Sequence, residues 1–323
     1  MTVRPRLLVT RRLPPNVEAR AACLFDAEFN PADTVLPAAE LIERAARHRA
    51  DALLICITDR LDAEAVAALP GSVRMISTVS VGTNHIDLTA AKARGIVVGY
   101  TPDATAEATA DLTLLLLLAA CRRAHEHQAI LRQGRWGAWN AWDNLGTDPE
   151  GKVLGLVGMG RIGRAVARRA RGFGMTIAYH QRNRLSPDLE DGATYHSDLE
   201  SLFRSSRIVS LHTPSTPETI GRINRHSLSW LPEGAIFVNT ARGDQVVDDD
   251  LIAALSSGRL AAAGLDVFAG EPDFDRRYLE LPNAYLLPHV GTSTVETRDR
   301  MGFDALGNLS AFFAGHEPRW RVV

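Results

Sequence analysis

The run Val153-Leu154-Gly155-Leu156-Val157-Gly158-Met159-Gly160-Arg161-Ile162-Gly163 limits what this chain can fold into more than any other stretch. A five-residue apolar run of strand length leads straight into Gly-x-Gly-x-x-Gly, and a helical pattern follows over 164–172. Strand, glycine turn and helix in that order make a dinucleotide phosphate site. Gly158 permits the tight turn, Gly160 lets backbone approach a pyrophosphate, and Gly163 lets the helix pack close to the strand. The N–H groups and positive end of the helix then face the phosphates. Three glycines alone would describe an ordinary strand-to-helix turn; the flanking strand and helix favour the binding site.

A chain of 323 residues is long for one core, so two domains are expected. Hydrophobic residues at 46% and charged residues at 23% give a soluble, globular balance. A formal net charge of −2 gives no reason to expect a nucleic-acid partner. Cys23, Cys56 and Cys121 match neither a metal pattern nor a CxxC pair, and read as free, mostly buried thiols in a reducing compartment. The apolar run 7–9 is too short for a signal peptide and 112–121 too short to span a bilayer. These readings point to the cytoplasm, with no membrane and no metal.

Short β-rich runs at 6–10, 53–58, 74–79 and 96–99 alternate with helical patterns at 38–49 and 62–68. A second alternation has six candidate strands, at 153–157, 176–179, 208–211, 235–239, 262–266 and 284–287. The spacing predicts an α/β fold: two Rossmann-like domains of doubly wound parallel sheet with an active-site cleft between them. Residues 1–100 and 291–323 would form the substrate-binding, flavodoxin-like domain, and 101–290 the dinucleotide-binding domain. The last helix, 294–315, would return to the first domain. Between the two alternations, 104–133 reads as one long helix ending at Gly134, apolar almost all round at its centre. Such a face is buried in its own chain or against a second subunit, so a homodimer is expected. Trp136, Trp139 and Trp142 follow in a loop.

In NAD sites an acid at the end of the second strand accepts hydrogen bonds from the ribose hydroxyls. Here that position falls on Gln181, and Arg182 and Arg184 follow it. A carboxylate would repel a 2′-phosphate, whereas guanidinium groups offer it charge-assisted, often bidentate bonds. NADP(H) is therefore the expected cofactor, with NAD(H) possible; the plainer reading of the arginines is a solvated basic loop.

Three later strands end in polar groups: Asn239-Thr240-Ala241-Arg242-Gly243, Asp266-Val267-Phe268-Ala269-Gly270-Glu271, and Pro288-His289-Val290-Gly291. Ligands of open α/β sheets sit beyond the carboxyl ends of the strands, where Arg242, Glu271 and His289 could converge. Singly they read as a helix-end charge, a loop carboxylate and a packed turn residue. Behind a dinucleotide fingerprint they form an acid–base set.

These segments carry a resemblance. With Leu54–Asp59, Ser80-Val81-Gly82-Thr83-Asn84-His85-Ile86-Asp87, Thr101-Pro102-Asp103 and Thr109-Ala110-Asp111, the chain resembles the D-isomer-specific 2-hydroxyacid dehydrogenases over nearly its whole length. It is most similar to their glyoxylate/hydroxypyruvate reductase branch. The resemblance implies reduction of a small 2-ketoacid, with Arg242 on the substrate carboxylate and keto oxygen. It makes His289 the general acid and Glu271 the carboxylate that orients it. The Val81-Gly82 backbone would bind the carboxylate, alongside Arg242 and His289. Thr109, Arg161, Ile162, Pro214, Thr240, Asp266 and Gly291 match the family's cofactor contacts, beside Gly158, Gly160 and Gly163; for Asp266 a structural strand-end acid is the competing reading.

The chain departs from the family in two places. Ala104-Thr105-Ala106-Glu107 replaces a common Val-Leu-Thr-Asp, and Asn140-Ala141-Trp142 lacks the Pro that commonly follows the loop tryptophan. In related reductases that tryptophan reaches the neighbouring subunit's active site, a part open here to Trp139 or Trp142. Reductases of 2-ketogluconate or other 2-ketoacids are the alternatives within the family. A dinucleotide-sensing corepressor is the alternative outside catalysis, and Glu271 stands where formate dehydrogenases carry Gln.

Overall fold

Each alternation of apolar runs and helical patterns becomes one parallel sheet. The computed structural model describes residues 4–323, in two units. One runs to Thr105 and resumes over Thr292–Val323; the other is Ala106–Gly291.

The first unit contains β1 (Arg6–Val9), α1 (Pro15–Leu24), β2 (Asp26–Glu28), α2 (Ala38–His48), β3 (Ala52–Ile55), α3 (Ala63–Ala68), β4 (Met75–Thr78), α4 (Leu88–Ala93) and β5 (Val97–Gly99). Its sheet order is β2-β1-β3-β4-β5, all parallel. β3 and β4 are buried at every residue, as a parallel sheet covered on both faces requires. Asp62 and Asp87 start α3 and α4 by accepting the backbone N–H groups of Ala65 and Ala90. β2 was not anticipated: Asp-Ala-Glu at a sheet edge offers no apolar run to read.

The second unit opens with α5 (Ala106–Cys121) and α6 (Ala124–Arg132). The expected single helix over 104–133 is therefore two. Arg123 takes a left-handed conformation (φ 50°), and its guanidinium closes on Glu126 at 2.6 Å. The Cys121 carbonyl, which a continuous helix would pair with His125, accepts instead from Thr147 N–H at 2.8 Å. That partner lies 26 residues on (147 − 121), so no local signal marks the break. α5 is buried on most of its surface, whereas α6 has no buried residue.

The unit continues with β6 (Val153–Val157), α7 (Arg161–Arg171), β7 (Thr176–His180), α8 (Pro187–Glu190), β8 (Thr194–His196), α9 (Leu199–Ser205), β9 (Ile208–Leu211), α10 (Arg225–Ser229), β10 (Ala235–Asn239), α11 (Asp248–Ser256), β11 (Leu260–Leu265) and β12 (Ala284–Leu286). The sheet order is β12-β11-β10-β9-β6-β7-β8, all parallel. Seven strands replace the six expected, because β8, another three-residue edge strand, joins β7. The order of connection reverses between β6 and β9, the switch point where such sheets hold ligands. α5 packs on α7, β10 and β11. Arg168 and Arg169 of α7 reach Glu107 of α5.

The last helix, α12 (Val295–Phe313), packs on α1 and β4 of the first unit, and the Ser77 hydroxyl donates to the Ala305 carbonyl at 3.0 Å. Cys121 is buried and Cys56 half-buried, and burial pushes their thiols up to about 11 and about 12; Cys23 is exposed, against expectation. Among the described residues no helix is long and apolar enough to cross a membrane.

Candidate active site

The glycine turn lies at the switch point of the second unit. Gly158 has φ +100°, and a side chain there would also place Cβ 2.8 Å from the His212 carbonyl oxygen at the end of β9. A Cβ on Gly163 would fall 2.3 Å from the Gly158 oxygen, so this glycine closes the helix onto its own turn. At Gly160 an added Cβ meets nothing within 4 Å. α7 begins at Arg161, three residues earlier than expected, and its N-cap is Gly160, with no side chain to cap the first-turn N–H groups. Arg161 is exposed at the first helical position, and Ile162 packs inward on the core. Open space, uncapped donors and a helix end together fit a dinucleotide pyrophosphate.

At the end of β7 the two polar ends of Gln181 are both engaged. Its Oε1 accepts from Met159 N–H at 3.0 Å, bracing the glycine turn, and its Nε2 donates to the Asn183 carbonyl at 2.7 Å. Arg184, expected as a cofactor ligand, is engaged by the chain itself. Its guanidinium donates to both oxygens of Glu190, at 2.8 and 3.0 Å, and lies over the Tyr195 ring. Arg184 first, and then the Tyr179 hydroxyl, hold the Glu190 carboxyl down to about 2, so the pair stays charged. The bidentate partner lies six residues along the chain, across a turn, where no regular spacing announces it. Arg182 is exposed and makes no hydrogen bond or ion pair among the described residues.

Arg242, Glu271 and His289 all belong to the second unit and follow β10, β11 and β12. His289 Nδ1 is hydrogen-bonded to Glu271 Oε1, and Glu271 Oε2 accepts from Phe268 N–H at 3.0 Å. Burial raises the Glu271 carboxyl, but the His289 contact, the Phe268 N–H and the Arg242 charge outweigh it, so it lies below its ordinary range. Glu271 is therefore anionic at neutral pH. His289 Nε2 has no hydrogen-bond partner among the described residues, which leaves one ring nitrogen for a ligand. Arg242 is half-buried; burial lowers its guanidinium, and Glu271 and Asp244 pull it back up.

Asp266 builds the histidine's loop. His289 N–H donates to its backbone carbonyl at 2.8 Å, while Val290 and Gly291 N–H donate to its two carboxylate oxygens at 2.7 and 2.9 Å. Burial raises this carboxyl, and the Val290 N–H opposes the rise. The structural reading of Asp266 is thus present in the fold itself. Thr109 lies against Gly291, where an added Cβ would sit 3.5 Å from its hydroxyl. Thr113 donates to the Thr109 carbonyl at 2.8 Å, so the 2.9 Å contact between the Thr113 and Thr240 hydroxyls has Thr240 as donor. Pro214 is exposed after β9, its carbonyl accepting from Thr219 at 2.8 Å.

In the first unit, Val81 is exposed and Gly82 half-buried in the loop after β4. The Ser80 hydroxyl donates to the Gly82 carbonyl at 2.7 Å. With that proton committed, the 2.8 Å contact from Thr78 donates to Ser80, and His85 Nε2 donates to Thr78 at 3.0 Å. This chain of three donors sets the Gly82 peptide.

Residues 114–291 match the family described as D-isomer specific 2-hydroxyacid dehydrogenase, NAD binding domain. A glycerate dehydrogenase of Hyphomicrobium methylovorum is 42% identical over 320 residues, covering 98% of this chain and 99% of that protein. The chain belongs to the D-isomer-specific 2-hydroxyacid dehydrogenase family. A glyoxylate reductase of Thermococcus litoralis is 39% identical over 322 residues, 98% of this chain and 96% of the relative. Among solved structures, an NADPH-dependent glyoxylate/hydroxypyruvate reductase of Sinorhizobium meliloti, in complex with NADP and malonate, superposes with TM-score 0.88 at 34% identity. The match covers 99% of this chain and 97% of that one. The dehydrogenase is thus an oxidoreductase of the glyoxylate reductase branch, with a dinucleotide-binding unit.

Two residues that position the dehydrogenase's arginine escaped sequence reasoning. Asn239 is buried; it accepts from Ala241 N–H at 2.9 Å and donates to the Arg242 carbonyl at 3.0 Å, shaping the turn that carries the guanidinium. An Asn ending a strand before a polar turn is the available signal. Gly243 has none. A Cβ there would lie 1.9 Å from the Phe268 carbonyl carbon and 2.2 Å from Ala269 N, so the arginine turn touches the backbone leading to Glu271. Backbone cannot rotate away as a side chain can. Gly243→Ala is expected to lower Tm and to cut kcat by ~10²-fold through misplacement of Arg242 and Glu271. Thermal melts and steady-state rates check this, and normal turnover would show that the two loops move independently.

Proposed function

We propose that this dehydrogenase reduces a small 2-ketoacid, glyoxylate or hydroxypyruvate, to the D-2-hydroxyacid with NADPH. The observation that carries the catalytic part is the Glu271–His289 pair with Arg242 beside it in the electrostatics of the same carboxylate. Arg242 binds the substrate carboxylate and polarises the keto oxygen; His289, with Glu271 on its other nitrogen, gives that oxygen a proton from Nε2. The bound nicotinamide supplies the hydride to the keto carbon. The parts given to Val81, Gly82, Thr109, Thr240 and Gly291 belong to the same proposal. Names of relatives support the substrate class: glycerate dehydrogenase and glyoxylate reductase act on acids of two and three carbons.

NADPH preference is supported by Gln181 in the acid's place and by the uncommitted Arg182, and by the NADP bound in the Sinorhizobium meliloti relative. Steady-state rates on a panel of 2-ketoacids with each cofactor test both halves. Glyoxylate or hydroxypyruvate with NADPH should give the highest kcat/KM, and Arg182→Ala should weaken NADPH use while sparing NADH. Higher kcat/KM with NADH, or with 2-ketogluconate, would refute the corresponding half.

We also propose a homodimer. Leu131, Trp136, Trp139, Trp142 and Leu145 are all more than 60% exposed, within fifteen residues of one another. So many large apolar side chains exposed within one short segment mark it as a candidate contact surface. Light scattering at micromolar protein should give twice the chain mass; a monomer would refute this part.

A further inference from the structure

The end of β7 carries a second basic group that the sequence motif does not announce. Arg222 lies forty-two residues after His180, in the segment between β9 and α10, yet its Nη2 is 3.1 Å from His180 Nε2. His180 Nδ1 is 3.0 Å from the His196 carbonyl, which can only accept, so Nδ1 carries the proton. In the neutral ring Nε2 is then the acceptor, and the guanidinium donates to it. His180 is buried at the last position of β7, and its own carbonyl accepts from Gly158 N–H at 2.9 Å. The imidazole thus ties Arg222 to the strand end that carries the glycine turn and Gln181.

A guanidinium has five N–H donors, and this contact uses one. Arg222 is half-buried. The charge of Arg182 is felt in the same segment: Glu218 is lowered first by the Thr216 hydroxyl and, to a smaller degree, by Arg182. With Arg184 held by Glu190, the cations left at this strand end are Arg182, exposed and without a hydrogen bond among the described residues, and Arg222, held by His180.

We propose that Arg222, positioned by His180, is the fixed guanidinium that binds the 2′-phosphate of the cofactor's adenosine, while Arg182 adds a flexible second charge. This rests on the NADP reading above. A pre-oriented fork gains more per hydrogen bond than a mobile one, because less side-chain freedom is lost on binding.

Calorimetric titration of the full chain with adenosine 2′,5′-bisphosphate and with 5′-AMP isolates the phosphate, since the two probes differ only there and no turnover is needed. Wild type is expected to prefer the bisphosphate. Arg222→Leu should weaken the bisphosphate by ~10- to 100-fold, the range of a lost charge-assisted bond, and leave AMP unchanged. His180→Leu should lose about 3-fold or more of the preference, and His180→Gln, whose amide oxygen can accept, should restore it. If wild type shows no preference, the NADP reading falls and takes this proposal with it. If wild type prefers the bisphosphate and Arg222→Leu does too, Arg222 is overturned and the NADP reading stands. Equal losses for both probes would make Arg222 a structural residue and also overturn the proposal.

Discussion

His289→Ala is expected to lower kcat for ketoacid reduction by ~10²–10⁴-fold with cofactor affinity retained. The expectation comes from how completely the fold prepares this side chain. His289 sits at φ 53°, a left-handed conformation that costs a non-glycine residue about 1–2 kcal/mol. Three hydrogen bonds from residues 289–291 to Asp266 hold it there. Glu271 fixes the ring through Nδ1 and leaves Nε2 open. Glu271→Gln adds a readout that a structural role would not move. The amide keeps a hydrogen bond but loses the charge opposite the ring that gives up the proton, so kcat should fall by more than KM changes. An unchanged kcat would take Glu271 out of the proton transfer, and near-normal turnover in His289→Ala would end the acid–base reading.

What was legible in the sequence was what depends on near neighbours in the chain. Long apolar strands bounded by glycine or polar turns were read almost to the residue: 153–157, 208–211 and 235–239 coincide with β6, β9 and β10. The edge strands β2 and β8 were not, because three residues with one exposed face carry no periodic signal. The helix break at Arg123 depends on Thr147 reaching back to Cys121, a tertiary hydrogen bond. The site divides the same way. Arg242, Glu271 and His289 follow strands of one parallel sheet, so topology alone gathers their loops at one edge. Which arginine is free to meet a phosphate could not be read: Arg184 and Arg182 are two residues apart, and only the folded position of Glu190 separates their fates.

Arg242→Ala should cost kcat/KM about 10³-fold or more, roughly 4 kcal/mol, and should raise KM as well as lower kcat. On the proposed mechanism two functions disappear together: the anchor for the substrate carboxylate, present in ground and transition states alike, and the charge opposite the oxygen that becomes negative as hydride arrives. The first raises KM; the second lowers kcat. Arg242→Lys separates them. It keeps a cation but loses the planar fork, so part of the rate should return while the carboxylate is held less well. The half-buried setting makes the arginine hard to replace, since burial already works against its charge and Glu271 and Asp244 sustain it. The His289–Glu271 pair is a control within the same variant. Glu271 keeps its bond from His289 when Arg242 is gone, so some turnover should persist at reduced rate. A change in KM alone would restrict Arg242 to binding, and loss of all turnover would mean that the three side chains act as one inseparable network.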